Sequence, residues 1–283
     1  MGFLIVGAII LLICFCYWEN NALCITHLEI RTNTKERLRL VHLSDLHGKQ
    51  FGTQNQKLYG KVMEQRPDLI LFTGDLIDDD GKNIDECTAF LSKLNRSAPV
   101  FFNAGNNEHQ SKHYEEIIGK LVHGGVHVLS DHMESIRVRS QDVHILGFDE
   151  NVEAYSGYKK RPSESDLYKD YSPLFELLSQ QNGLKLVMSH YPENYALLGK
   201  RSYWNYSFDL LFSGHAHGGQ FILPGIGGLF APGQGILPKY YSGLYFAEGK
   251  PVMCVSRGLG NSAFPLRLFN RPQITVLDIL PIR

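Results

Sequence analysis

Cysteine is scarce in this chain: five occur in 283 residues, Cys14 and Cys16 inside one apolar run and Cys24, Cys87 and Cys254 far apart. Such spacing builds neither a disulfide framework nor a thiolate zinc cluster. An excess of one charge is also lacking, since 28 Lys and Arg stand against 29 Asp and Glu, a formal net charge of −1. That balance offers no electrostatic ground for a nucleic-acid partner, and none is expected. Internal repeats, an acidic tail and low-complexity stretches are absent. With 43% hydrophobic and 20% charged residues, the composition suits one large domain or two small ones around a buried core.

One long hydrophobic run opens the chain, "MGFLIVGAIILLICFCYWENN", uncharged from Phe3 to Trp18. Its roughly 16 apolar residues fall short of the about 20 of a bilayer-spanning helix, a gap that slight thinning and the interfacial pair Tyr17 and Trp18 would close. Core helices are seldom apolar on every side. A cleaved leader needs a basic start and a small-residue cleavage site, and neither is seen. "LLIC", ending at Cys14, carries the large Ile13 where a lipoprotein signal takes a small residue. The reading is a single-pass anchor over residues 1–20, then a linker and first strand over 21–37. No Lys or Arg precedes the anchor, and Arg31, Lys35 and Arg37 follow only after a gap, a weak bias toward a cytoplasmic domain. The side of the membrane stays open.

Beyond the anchor, strand and helix signals alternate. "RLRLVHLSDLH" reads as a strand ending in polar residues, "NQKLYGKVMEQR" as a helix, and "PDLILFTGDLIDDDG" as a second strand with an acidic loop. "NIDECTAFLSKLN" is helical and "PVFFNAGNNEH" a third strand ending in a polar turn. That order predicts an α/β layered domain with its loops gathered at one edge. "VHVLSDHMESIRVRSQDVHILGFDE" alternates as antiparallel strands do, so the sheet is expected to be mixed. "SPLFELLSQQ" is a helix and "GLKLVMSHYPE" a buried strand.

"LLFSGHAHGGQF", residues 210 to 221, is the most informative stretch. Leu210, Leu211 and Phe212 suit a strand, while Gly214, Gly218 and Gly219 would weaken one, so the strand should stop near Ser213. His215 and His217 then occupy a loop at a strand's C-terminal end, where open α/β sheets place ligands. The other strands end alike: Asp45 and His47, Asp75, Asn106, and His190. Seven such groups converging on one edge suit two divalent cations, with a carboxylate shared between them. Nitrogen and oxygen donors without thiolate suit Mn²⁺, Fe²⁺ or Zn²⁺. Paired cations clamp a phosphoryl group and acidify water between them.

Five ordered blocks carry a resemblance: "DLH" at 45–47, "GDLID" at 74–78, "GNNE" at 105–108, "SHYPE" at 189–193 and "GHAH" at 214–217. Together they resemble the calcineurin-like metallophosphoesterases. "VSRGLGNSAFPLRLFNRPQITVLDI", "GHAHGGQFILPGIGG" and the anchor are similar to that superfamily's bacterial membrane-anchored branch. The resemblance spans about residue 38 to the C-terminus and implies one phosphoesterase domain over 38–283. It implies a four-layer αββα sandwich of two mixed sheets, with the metals at the strand ends. It further implies that Asp45, His47 and His217 hold one metal, that Asn106, His190 and His215 hold the other, and that Asp75 bridges. A metal-bridging hydroxide would then attack phosphorus in line with the leaving oxygen.

One position departs from the family pattern, which reads Gly-Asn-His-Asp/Glu in the third block: Asn107 stands where the catalytic histidine is expected. An amide can donate a hydrogen bond but cannot act as a general acid, a role worth typically about 10²- to 10⁴-fold. Three outcomes follow: His109 substitutes, the leaving group departs unprotonated, or activity is low. The second is the working hypothesis, with Asn107, Glu108 and His109 as the candidate catalytic group. Arg257, among glycines after "PVMCV", is a candidate phosphate contact. His42, His113, His123, His127, His132 and His144 are assigned no role.

The Gly- and Pro-rich segment "FILPGIGGLFAPGQGILPKYYSGLYFAEGK" is unusually apolar for a loop. Either it folds back on the core or it forms a greasy wall beside the metals, which would suit an amphiphilic phosphoester presented at a membrane. Two alternatives stay in view: a tethered pseudoenzyme binding a phosphorylated ligand, and a phosphoprotein phosphatase.

Overall fold

The computed structural model describes residues 2–150, 169–261 and 264–282; Ser262 and Ala263 of the C-terminal motif lie outside them. The chain begins with helix α1 (Gly2–Asn21) and strands β1 (Cys24–Thr32) and β2 (Leu38–Leu43). Then come α2 (Gln56–Met63), β3 (Leu69–Thr73), α3 (Ile84–Asn95), β4 (Val100–Asn103), α4 (Asn106–Gln110), α5 (Tyr114–His123) and β5 (His127–Val128). The second part carries β6 (His132–Val138), β7 (Gln141–Gly147), α6 (Ser172–Ser179), β8 (Leu184–Met188), α7 (Glu193–Ala196) and β9 (Leu210–Ser213). Short strands β10 (Ile222–Leu223), β11 (Gly227–Gly228), β12 (Phe230–Ala231) and β13 (Gly235–Ile236) precede β14 (Gly243–Tyr245), β15 (Val252–Val255) and β16 (Gln273–Pro281).

The strands form two six-stranded mixed sheets, ordered β1-β16-β2-β3-β4-β5 and β14-β15-β9-β8-β7-β6. In the first, β2, β3, β4 and β5 run parallel and β16 opposes β2. In the second, β15, β9, β8 and β7 run parallel, with antiparallel β14 and β6 at the edges. Parallel strands need cover on both faces, and the two-residue side-chain period supplies it. Leu38 and Leu40 of β2 join Leu71, Leu186, Leu210, Phe212 and Leu277 in a core between the sheets. Val41 and Leu43 point the other way, into a second core with Leu58, Leu91 and Leu121 of α2, α3 and α5. On the far side Val187, Leu211 and Met253 pack with Phe175 and Leu178 of α6. These three cores separate four layers, helix, sheet, sheet and helix.

Local sequence explains the helices that cover the first sheet. In α5, Ile117 and Leu121 lie four apart on the buried side, Glu115 and Glu116 open the helix, and Lys120 and His123 close it, in accord with the helix dipole. Residues 21–37 contribute β1 to the first sheet: it pairs with β16 in parallel from Cys24↔Gln273 to Thr32↔Pro281. Helix α1 differs in kind. Phe3, Leu4, Leu11 and Ile13 are all exposed, and no charged residue falls between Phe3 and Trp18. Its uncharged part, Phe3 to Trp18, is about 24 Å long, close to a bilayer's hydrocarbon core of about 30 Å once slight thinning is allowed. It is therefore a candidate membrane anchor.

The parallel direction decides where the chemistry collects. Strands β2, β3 and β4 of one sheet and β8 and β9 of the other all end at the same edge, and the polar blocks follow those ends.

Candidate metal centre

Backbone geometry at the strand ends is unusual. Asp45, His47, Asp75, His215 and His217 all have positive φ, from 47° to 64°, a region that non-glycine residues seldom occupy and that clusters at functional sites. The left-handed turns aim each side chain back into the gap between the two sheet ends. Small neighbours allow the approach. A Cβ at Gly105 would lie 2.6 Å from Asp75 N and 2.9 Å from His190 Cε1, and one at Gly214 would reach within 2.5 Å of Asp45 Oδ2.

Two groups of potential ligand atoms result. Asp45, His47, Asp75 and His217 form one, and Asp75, His190 and His215 the other, each with its atoms within 4.8 Å of one another and every residue buried or nearly so. Asp75 belongs to both. His47 Nε2 and His217 Nε2 stand 3.2 Å apart, and His190 Nε2 lies 3.4 Å from Asp75 Oδ2 and 3.2 Å from Asn106 Oδ1. All seven groups named from the sequence thus meet at one edge.

The donor chemistry fits cations. His47 Nδ1 faces Asp78 Oδ1 at 2.6 Å and His190 Nδ1 faces the Thr73 carbonyl at 2.8 Å. Both partners are acceptors, so each ring carries a hydrogen on Nδ1 and turns Nε2 into the cluster, where it would hold either a second proton or a metal cation. His190 Nε2 faces Asp75 Oδ2 at 3.4 Å, and His47 Nε2 lies 3.7 Å from the same oxygen and 3.2 Å from His217 Nε2. Asp45 Oδ2 is buried with no hydrogen bond among the described residues. Groups packed this way repel unless a proton or a metal cation lies among them.

Charge in the cluster is correspondingly polarised. Burial pushes the Asp45 carboxyl up. Burial also resists charge on Asp75, yet His190, which hydrogen-bonds to it, and His47 hold its carboxyl well below the usual range. Burial opposes protonation of His190, but Asp75 raises it to about 10; the Asp78 hydrogen bond and Asp75 likewise carry His47 upward against burial. Burial lowers His215 to about 3, with His190 adding repulsion, and lowers His217 strongly, with His47 adding to it.

The third block is organised by Glu108. Its Oε2 accepts from Asp75 N and Gly105 N, both at 2.8 Å, and its Oε1 from Ile77 N at 3.1 Å. Both oxygens are thereby committed to backbone amides, and burial and Asp75 push the carboxyl up. Asn107 donates from its backbone N to Asp75 Oδ1 at 2.9 Å and from Nδ2 to Asp75 Oδ2 at 2.7 Å. His109 is turned to Asp149, 2.7 Å away, and stacks on Tyr114. Arg257 is half-buried, and its Nε has no hydrogen-bond partner among the described residues.

Several residues around the site escaped the sequence reading. Glu150 is buried and accepts from His190 N at 2.8 Å, Ser189 Oγ at 2.5 Å and Asn194 Nδ2 at 2.7 Å. Arg267 is 1% exposed, with Nη2 3.5 Å from His217 Nδ1. Asn270 Nδ2 donates to the His217 carbonyl at 2.7 Å. Among the unassigned histidines, His42 is buried against Thr73 Oγ1 at 2.8 Å, and burial lowers it to about 3.

A fold of two mixed sheets whose parallel strands deliver His, Asp and Asn to one edge defines a class, and comparison with known proteins agrees with it. The calcineurin-like phosphoesterase family matches residues 38–219. The chain belongs to that family and is a hydrolase of phosphoester bonds. It is similar to the uncharacterized metallophosphoesterase YkoQ of Bacillus subtilis (strain 168), 28% identical over 250 residues covering 87% of this chain and 84% of that protein. Phosphodiesterase YaeI of Escherichia coli (strain K12) is 28% identical over 247 residues, 86% of this chain and 82% of that one. A Bos taurus transmembrane protein with a metallophosphoesterase domain is 24% identical over 254 residues, 85% of this chain and 52% of that one.

Proposed function

We propose that this protein is a membrane-anchored phosphoesterase that uses two divalent cations to hydrolyse a phosphomonoester, phosphodiester or pyrophosphate with a good leaving group. The observation that carries the reading is Asp75, whose carboxylate is common to both ligand groups. Asp45, His47 and His217 would hold one cation, Asn106, His190 and His215 the other, and Asp75 would contact both. When bound, such cations supply Lewis acidity toward a phosphoryl oxygen and make water acidic enough to yield a nucleophile near neutral pH.

The chain's own residues shape the rest. Asn107 orients Asp75 through two hydrogen bonds, and its NH₂ carries a second N–H that suits a phosphoryl oxygen. It has no titratable proton to give, hence the preference for leaving groups that depart as anions. Glu108, bound by three amides, is an organiser of Asp75 in this reading. Arg257, with its unpartnered Nε, is the candidate phosphate contact.

An amphiphilic substrate is favoured by the segment after His217. Leu229 Nα–H bonds to Gly219 and Leu237 to Leu229, so the segment is tied to the histidine turn. Ile226, Phe230, Ile236 and Leu237 are at least half exposed on it. An anchored domain with apolar side chains beside its site suits a phosphoester whose tail rests in lipid.

The deciding experiment is hydrolysis of bis-p-nitrophenyl phosphate by the full chain in detergent, stripped of metal and resupplied with Mn²⁺, Zn²⁺, Fe²⁺ or Mg²⁺. Turnover restored by metal and abolished in Asp75→Asn is expected. No turnover with any metal would overturn the reading. If lengthening the hydrocarbon chain of a lipid-linked pyrophosphate leaves KM unchanged, the amphiphilic part is wrong.

A further inference from the structure

The end of α1 is not a free tether. Glu19 and Asn20 are 4% and 8% exposed, although residues 2–14 of the helix are almost all exposed. Asn20 Oδ1 accepts from Arg267 N at 3.0 Å and Asn261 Nδ2 at 3.2 Å. Glu19 Oε2 accepts from Asn270 N at 3.1 Å. Lys49, two residues beyond His47, donates to the Asn20 carbonyl. Phe15 packs on Phe269 with centroids 5.9 Å apart, and Arg271 lies over the Trp18 ring at 4.6 Å.

Each contact leads on to the same half of the site. Asn270 Nδ2 holds the carbonyls of His217 and Gln220 at 2.7 and 3.1 Å, bracing the turn that keeps His217 at φ 47°. A Cβ at Gly218 would collide with the Asn270 amide, so the two are in close contact. Arg267 donates to the Gly260 carbonyl, Gly260 N donates to the Asp45 carbonyl at 2.6 Å, and Nη2 faces the His217 ring. Asp45, His47 and His217 are thus each within two or three contacts of the last turn of α1. The His190–His215 half is braced separately, through Glu150 and Thr73.

We propose that Glu19 and Asn20 are positioning residues for the Asp45–His47–His217 half of the metal centre, so that docking of the apolar helix sets affinity there. This rests on reading the cluster as a metal centre. Residues that orient metal ligands typically change affinity by about 10- to 100-fold when removed, whereas a mere tether would change none.

The test uses the full chain in detergent micelles, stripped of metal and titrated calorimetrically with Mn²⁺, with His217→Ala marking the binding step of that half. Glu19→Ala combined with Asn20→Ala is expected to weaken that step by about tenfold or more and leave the other unchanged. Glu19→Gln and Asn20→Asp, which keep the acceptor oxygens, should bind as the parent does. Asp278→Asn, at the opposite edge of the first sheet, controls for a general loss of stability. Unchanged binding in the double variant overturns the proposal. So does equal weakening of both steps, or the same weakening in Asp278→Asn, since either marks a structural effect. A parent chain that binds no Mn²⁺ overturns the metal reading itself and this one with it.

Discussion

Asn107 grips both oxygens of Asp75, one through its backbone N–H at 2.9 Å and the other through its side-chain amide at 2.7 Å. The residue at the departing position of the third block is therefore engaged with the carboxylate shared by the two ligand groups. Asn107→Ala removes one donor and should slow every substrate by about tenfold, roughly 1.4 kcal/mol. Asn107→His restores a titratable group, and its benefit should grow with leaving-group pKa, reaching about 10²-fold for alkyl esters and vanishing for nitrophenyl esters. A uniform gain across aryl, pyrophosphate and alkyl substrates would refute the good-leaving-group hypothesis.

His109 faces Asp149 and stacks on Tyr114. Removing it should therefore matter little to chemistry at Asp75. His109→Ala is expected to lower kcat on a nitrophenyl ester by less than about tenfold, under the usual worth of a general acid. A steady-state assay on alkyl and aryl esters decides it, and a loss confined to alkyl esters would restore His109 as the acid.

Gly105 leaves no room for a methyl group between Asp75 and His190. Gly105→Ala must push one of them aside. Overpacking of this kind costs about 1–3 kcal/mol, and a displaced ligand should cut metal-dependent turnover by about 10²-fold. Thermal melting and turnover measured together check both halves of the expectation.

Cations that bind the folded chain alone should stabilise it. At Mn²⁺ about 100 times above Kd the gain is about 2.7 kcal/mol for one site. A rise in Tm on adding Mn²⁺, reversed by chelator and much reduced in Asp75→Asn, is the expected result. An unaltered Tm in the parent would count against a metal centre.

At the opposite edge, Asp278 binds Arg39 through Oδ1 at 2.9 Å and Arg37 through Oδ2 at 2.7 Å. The Arg39 hydrogen bond, with Arg37 assisting, outweighs burial and holds the carboxyl at about 2. The folded value lies below the unfolded one of 3.8, so the stabilisation is complete above about pH 4 and is lost as pH falls through about 2. Solvent screening of the arginines limits it to about 1 kcal/mol. Acid titration of stability should show this loss in the parent and a flatter curve in Asp278→Asn.

Much of this was legible before folding because it is written locally. A buried strand announces itself by a short apolar run, and its end by glycine and polar residues, so Asp45, Asp75, Asn106, His190 and His215 could be placed at strand ends from sequence. An apolar stretch at the start is equally local, and α1 covers Gly2–Asn21. The glycine-rich segment was ambiguous for the same reason. Its spacing does not say which side chains turn inward, and the structure buries Ala231 while exposing Ile236.

Local sequence thus sets the chemical groups and the strand ends that carry them. Tertiary structure alone decided which groups meet. Pairing of β1 with β16 joins residues nearly the whole chain apart. The docking of Glu19 and Asn20 onto Asn270 and Arg267 depends on the same closure. Arg267 reads as a surface residue, since arginine is almost never fully buried unless paired, and only the packed loops supply the carbonyls that receive it. Asp75 becomes common to two clusters because two sheets pack face to face with their parallel strands ending together, a long-range fact that no window of sequence contains.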